Sequence, residues 1–265
     1  MLKRIIAKIL SPLSGKKSFQ AFFESLNQLS LFGMNIGGGG NTANSGEKNA
    51  LRYINKHFKA LDDLIIFDVG ANVGHYSILL KNAFSEKATI HAFEPSTKTF
   101  NKLKSNLADQ KKIKLHHFGL GSENTKITLY TNSDESGLAS VYKRRLDHFN
   151  IDMNKSEDIA IKTLDAFCDE NNIKRVNFLK LDVEGHELKV LEGAEKMLHS
   201  GSIDFIQFEF GGCNIDSRTY FQDFYYLLKD NYKIYRIVKD GLYPINQYRE
   251  MYEAFITTNY LAEKK

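Results

Sequence analysis

Between residues 47 and 119, short and nearly unbroken apolar runs alternate with stretches whose apolar positions recur every three or four residues. The runs at 64–67 with Val69, at 88–94 and at 114–118 fit strands buried on both faces of a parallel sheet. The stretches at 47–61, 73–83 and 95–107 fit amphipathic helices, the last opened by Pro95 and Ser96 in first-turn and cap positions. Such alternation predicts an α/β fold with a doubly wound, mostly parallel sheet.

The rhythm changes in the middle. Segments 126–131, 139–143 and 158–162 read as short antiparallel strands of a small β insertion. Helix 164–171, strand 176–181, helix 186–198 and strand 203–210 then resume the alternation, and strands at 232–238 and 253–258 close the sheet, the last antiparallel. At the other end, Leu2, Ile5, Ile6, Ile9 and Leu10 make one helical face with Lys3, Arg4 and Lys8 beside it. A second helical pattern runs through Phe19, Phe22, Phe23, Leu26 and Leu29. The glycines Gly37 to Gly40 and the polar residues up to Gly46 read as a flexible linker or gated loop. The expected division is an amino-terminal helical extension and Gly-rich linker over 1–46, and one α/β domain over 47–265.

Length and composition narrow the class. With 265 residues, 42% hydrophobic and 26% charged, the chain suits one sizeable folded domain and not wholesale disorder. A net charge of +4, with basic and acidic residues interleaved, implies no nucleic-acid surface. Cys168 and Cys213 form no Cys-x-x-Cys pair, which argues for a reducing, cytoplasmic setting and against a zinc site. No apolar run approaches the ~20 residues of a membrane span. Lys8 interrupts the first apolar segment, so it is read as a helix and not as a signal peptide. Residues 1–12 suit weak peripheral contact with an anionic membrane, but docking of this helix on the domain or a partner is the expectation.

The chemistry begins at Asp68-Val-Gly70-Ala-Asn72-Val-Gly74-His-Tyr76. A buried strand ends in an acid, and two glycines then let the backbone turn close to a ligand. Glu94, at the end of the next strand, stands where an acid binds ribose hydroxyls in Rossmann-like sheets. Laid on G-x-G-x-x-G, the turn has Asn72 and His75 where a pyrophosphate needs bare backbone, so a dinucleotide is disfavoured. S-adenosylmethionine has no phosphate, and its sulfonium tolerates a nearby carboxylate. Asp68, Glu94, Asp182 and Glu209 all fall at expected carboxyl ends of strands, where open α/β sheets bind ligands.

Three blocks carry a resemblance to a known family: Asp68 to Tyr76, then Phe93-Glu94-Pro95-Ser96, then Lys180-Leu-Asp182-Val-Glu184-Gly185-His186-Glu187 through Gly193. In this order they resemble the FkbM-type S-adenosylmethionine-dependent methyltransferases, over roughly residues 60 to 210. The resemblance implies a class I methyltransferase fold and O-methylation of a hydroxyl, on a sugar of a surface glycan or a related small metabolite. It places the methionine end of S-adenosylmethionine near Asp68, Gly70, Asn72, Gly74 and Tyr76, the ribose on Glu94, and the adenine near Ser96, Gly119 and Leu120. Asp182, Glu184 and His186 then lie by the sulfonium, with Glu209 on the next strand. A hydroxyl acceptor must lose its proton, to His186 or to Asp182.

Asp182-x-Glu184-x-His186 also offers oxygen and nitrogen ligands for a divalent cation, but that spacing alone does not establish a metal, and none is expected to be required. Residues 137–142 resemble a family loop near the acceptor, and Lys143-Arg144-Arg145 would meet an acidic substrate or form a solvated face. Two other readings compete: a nicotinamide-dependent oxidoreductase or epimerase, against which Asn72, His75 and the lack of a Tyr-x-x-x-Lys pair weigh, and a non-catalytic scaffold, against which the intact acid set weighs.

Overall fold

Strands β1 (Leu64–Val69), β2 (Ala88–Phe93) and β3 (Ile113–His116) form where the apolar runs place them, in a computed structural model that describes residues 2–40 and 45–265. Before them come α1 (Leu2–Leu10), α2 (Gln20–Gly33) and α3 (Glu47–His57), and between them α4 (His75–Phe84) and α5 (Thr97–Asn106). The insertion holds β4 (Gly119–Leu120), β5 (Thr125–Thr131) and β6 (Lys155–Lys162). The chain continues through α6 (Leu164–Glu170), β7 (Val176–Leu181), α7 (Glu187–Glu192), α8 (Glu195–His199), β8 (Ile203–Phe210), α9 (Cys213–Ser217) and α10 (Phe221–Leu228). It closes with β9 (Tyr232–Val238), β10 (Gly241–Ile245) and β11 (Thr258–Lys264).

The large sheet has the order β10-β9-β11-β8-β7-β1-β2-β3. From β3 to β8 all pairings are parallel, and β11 runs antiparallel between β8 and β9. This is the α/β class I methyltransferase arrangement, extended by the β9–β10 hairpin. Period-two alternation divides the core: Ile66, Phe178 and Phe205 pack with α3, α4 and α5 on one face. Phe67, Leu179 and Ile206 pack with α6, α7, α8 and α10 on the other. Each strand is thus covered twice, which is why these runs are apolar throughout.

Four sequence expectations are corrected. The helix expected over 186–198 is two helices, broken at Gly193 and Ala194, where the Asp165 carboxylate accepts the backbone N–H groups of Lys196 and Met197 and so caps α8. The strand expected over 139–143 shrinks to one bridge between Ser140 and Tyr130, after which the chain turns toward the site. The strand expected over 253–258 begins instead at Thr258, since the Glu253 carboxylate accepts the backbone N–H groups of Phe221 and Gln222 and so caps α10. Ser96 takes the cap position of α5, but its side chain makes no capping hydrogen bond. Residues 41–44 of the expected linker, and the side chains of Leu2 and Lys3, lie outside the described residues.

Candidate active site

The carboxyl ends of β1, β2, β7 and β8 meet the insertion around a cavity of about 370 Å³, a size suited to a small-molecule ligand. Its floor is the turn after β1. Gly70 and Ala71 both donate backbone hydrogen bonds to the Phe93 carbonyl, at 3.0 and 2.9 Å, which draws the turn against β2. Gly70 has φ +82°, and a Cβ there would lie 1.8 Å from the Asp182 carbonyl oxygen. Only glycine permits β1 and β7 to converge this closely. Glu94 accepts from the backbone N–H groups of Asn72 at 3.0 Å and Ser96 at 2.9 Å. Burial raises Glu94 to about 7 against the pull of those two hydrogen bonds.

Lys180 and a cluster of acids flank the floor. Lys180 is buried in β7, with Nζ 3.0 Å from Asp182 and 3.5 Å from Asp68. Burial disfavours its charge, but Asp182 and Asp68 outweigh that and raise its pKa. The carboxylates of Asp182, Glu184 and Glu209 offer oxygens within 4.8 Å of one another, a set able to hold a cation or to share protons. Burial and the Asp182 charge push Glu184 up to about 8, opposed by Arg144, whose guanidinium donates to it. Burial and the same neighbours hold Glu209 well above the usual carboxylate range. Glu184 sits at φ +51°, and Glu187 secures this turn by accepting from the backbone N–H groups of Val183 and Gly185. Ser140 donates to the Glu184 carbonyl at 2.7 Å, tying the insertion to the acids. His186 is held at about 4 by burial, and its Nδ1 lies 3.2 Å from the Tyr142 hydroxyl.

Ten of the expected site residues line this cavity: Gly70, Asn72, Tyr76, Glu94, Gly119 and Leu120 on one side, and Asp182, Glu184, His186 and Glu209 on the other. Asp68, Gly74 and Ser96 do not. Asp68 is fully buried below the floor, where Ser77 donates to it at 2.6 Å. Gly74 faces α5, where a Cβ would meet Leu103 at 2.9 Å, and Ser96 is buried against Thr99. Glu47 lines the cavity although the helix pattern marked it only as a start, and it accepts from Gln207 at 2.8 Å and Ser45 at 2.7 Å. Lys180 and Arg144 balance the acids. A lysine inside an apolar strand that ends in an acid was the readable signal for the first; Arg144 stood in an ordinary-looking charge run.

Residues 68–235 match the family described as Methyltransferase FkbM domain. The chain belongs to the FkbM methyltransferase family. It is 32% identical over 149 residues to Methyltransferase 1 of Beauveria bassiana, covering 51% of this chain and 59% of that one. It is 29% identical over 170 residues to hexuronic acid methyltransferase AglP of Haloferax volcanii, covering 63% and 64%. Against 2-O-methyltransferase NoeI of Sinorhizobium fredii the identity is 21% over 145 residues, covering 51% and 59%. The chain therefore spans about three-fifths of the length of these curated relatives.

The FkbM site has features that suit S-adenosylmethionine. Each Glu94 oxygen takes one backbone N–H and keeps capacity for a ribose hydroxyl. The buried Asn72 Oδ1 has no hydrogen-bond partner among the described residues, an unmet acceptor at the cavity floor. Leu120, Ile159 and Ile161 supply an apolar wall for a flat ring.

Proposed function

We propose that this protein is an S-adenosylmethionine-dependent methyltransferase acting on a hydroxyl oxygen, of a sugar in a surface glycan or a related small metabolite. The observation that carries this reading is the pairing, across one cavity, of a ribose-type acid, Glu94, with the acid cluster of Asp182, Glu184 and Glu209. S-adenosylmethionine supplies an electrophilic methyl group on a sulfonium. The names of two relatives, a hexuronic acid methyltransferase and a 2-O-methyltransferase, favour oxygen on a sugar. The same names weigh against the oxidoreductase and scaffold readings. A cytoplasmic setting belongs to this proposal and accords with free, buried Cys168 and Cys213.

In this mechanism the protein's chief contribution is position, because an in-line displacement needs the acceptor oxygen held close and aligned. Asp182 is the proton acceptor: its side chain is 42% exposed and lies 3.0 Å from the Lys180 ammonium. His186 is the weaker choice, since burial makes its imidazolium costly, and it orients the hydroxyl as a neutral ring. Burial favours the protonated form of Glu184 and Glu209, and in that form either can donate a hydrogen bond to the acceptor. Lys180 and Arg144 supply positive charge where a metal would otherwise do so, and no metal is assigned.

Calorimetric titration with S-adenosylhomocysteine and with NAD tests the reading. Binding of S-adenosylhomocysteine and not NAD is expected; the reverse result would return the site to the oxidoreductase class.

A further inference from the structure

The amino-terminal arm does not dock its apolar stripes on the domain. Residues 4–9 of α1 are exposed, and α2 buries no side chain among the described residues. Ile5, Ile6 and Ile9 follow helical spacing on α1 and all face solvent, Ile9 with 68% of its surface. Phe22, Leu26, Leu29 and Phe32 form a second stripe on α2, and Leu29 and Phe32 are 65% and 69% exposed. An exposed apolar set of this size marks an interaction surface.

Charge selects the partner. Residues 1–46, which hold α1 and α2, contain Lys3, Arg4, Lys8, Lys16 and Lys17 against one acidic residue, Glu24. They carry the whole net charge of +4, which leaves 31 basic against 31 acidic residues elsewhere. The arm is therefore a cationic, amphipathic unit joined to a nearly neutral domain. A second copy of this chain would bring the same positive charge against it. An anionic surface with an apolar interior meets both properties.

Among the described residues, the arm's hydrogen bonds to the domain fall at its far end. Asn35 Nδ2 donates to the carbonyls of Ser45 and Ile237, at 2.9 and 3.1 Å, and Lys239 Nζ lies 5.2 Å from the centre of the Phe32 ring. Gly39 donates to the Thr257 carbonyl, and Gly39 and Gly40 line the cavity. This anchorage leaves the stripes of α1 and α2 open while tying the arm to the wall of the site.

We infer that α1 and α2 seat the protein on the surface of an anionic phospholipid bilayer, with Ile5, Ile9, Leu29 and Phe32 entering the headgroup boundary and the arm's lysines meeting lipid phosphates. Binding by one short arm is reversible and screened by salt.

Sedimentation of the full chain with phosphatidylcholine vesicles, with and without phosphatidylglycerol, tests this at ~0.05 M and ~0.5 M salt. Partitioning onto the phosphatidylglycerol vesicles is expected, falling about tenfold or more at high salt, on phosphatidylcholine alone, or in an Ile5→Glu/Ile9→Glu variant. S-adenosylhomocysteine affinity of that variant should equal the parent's, which reports folding and the cofactor site separately. Absence of partitioning, equal partitioning onto both vesicles, or an undiminished variant would overturn the inference. So would self-association abolished by Ile5→Glu/Ile9→Glu in a protein that ignores vesicles, which would give the face to a second copy.

Discussion

The backbone N–H of Asn72 donates to the carboxylate of Glu94 at 3.0 Å, so the acid at the end of β2 holds the turn that follows β1. Glu94 thus serves the floor of the cavity and faces into it. Replacement by alanine removes both acceptors, and losing a charged hydrogen-bond partner costs about 1.5–3 kcal/mol. S-adenosylhomocysteine affinity of Glu94→Ala should fall about tenfold or more. Calorimetry on a variant shown to be folded by circular dichroism checks this. Affinity equal to the parent's would remove Glu94 from the cofactor site.

Much of this half of the site was legible, because its signals are local. The run ending at Asp68, the spacing of Gly70 and Gly74 and the acid at Glu94 lie within 31 residues, and each follows from strand burial or turn geometry. Asp182, Glu184, His186 and Glu209 on the facing side were legible as well, but the contacts that close the wall are long-range and leave no periodic trace. Glu47 meets Gln207 across 160 positions, and Asn35 meets Ile237 across 202. The break at Gly193 is another such case, since α8 is capped by Asp165, 31 positions before Lys196. Glu253 looked like the opening of a strand, but its carboxylate is committed to α10. The apolar stripes of α1 and α2 were legible as stripes. Their lack of a partner within the domain was not.

Asp182 and His186 make separable predictions. With Asp182 as proton acceptor, Asp182→Asn should lower turnover by about 10²–10⁴, measured as S-adenosylhomocysteine formed with a panel of sugars and hexuronic acids. His186→Gln should cost less, and cofactor affinity should stay near the parent value in both. With His186 held at about 4, no loss of rate on acidification through pH 6.5 should appear in the pH–rate profile. A His186→Gln loss equal to that of Asp182→Asn would transfer the role to the imidazole. Because Lys180 and Arg144 neutralise the cluster, turnover should survive a chelator; loss by chelation and recovery with a divalent cation would assign Asp182, Glu184 and Glu209 to a metal.

Raised carboxyls and lowered imidazoles pull stability in opposite directions with pH. Burial raises Glu184 from 4.5 to about 8 in the fold, so its contribution is complete below 4.5 and is lost as pH rises through about 8. Burial lowers His91 to about 3 and His116 and His186 to about 4, so their contribution is complete above 6.5 and is lost as pH falls. Between 6.5 and 8 the carboxyls act alone among these groups. Unfolding free energy should decline there by up to about 1.4 kcal/mol per pH unit for Glu184, and Glu184→Gln should flatten the slope. Urea titrations at both ends of the interval measure it. A parent protein equally stable at the two would show that Glu184 is ionised in the fold.

Lys180 and Asp68 give the sharpest stability prediction, because neither is accessible to water. Asp68 is fully buried; Ser77 donates to one of its oxygens, while the other has no hydrogen bond and faces the Lys180 ammonium at 3.5 Å. Replacing Lys180 by methionine keeps an apolar stem but removes the ammonium, which lies 4.5 Å from the centre of the Tyr76 ring, and strands the Asp68 charge in the interior. Breaking a buried pair in this way costs about 3–5 kcal/mol, more than the loss of an exposed ion pair. Lys180→Met should therefore unfold at a clearly lower urea concentration than the parent. Asp68→Asn/Lys180→Met should recover a large part of the loss, because the neutral amide still accepts from Ser77 and leaves no orphaned charge. If the double variant is no more stable than Lys180→Met, the loss belongs to the packing of the lysine stem or to its pair with Asp182, and Asp68 is not the charge that Lys180 holds in place.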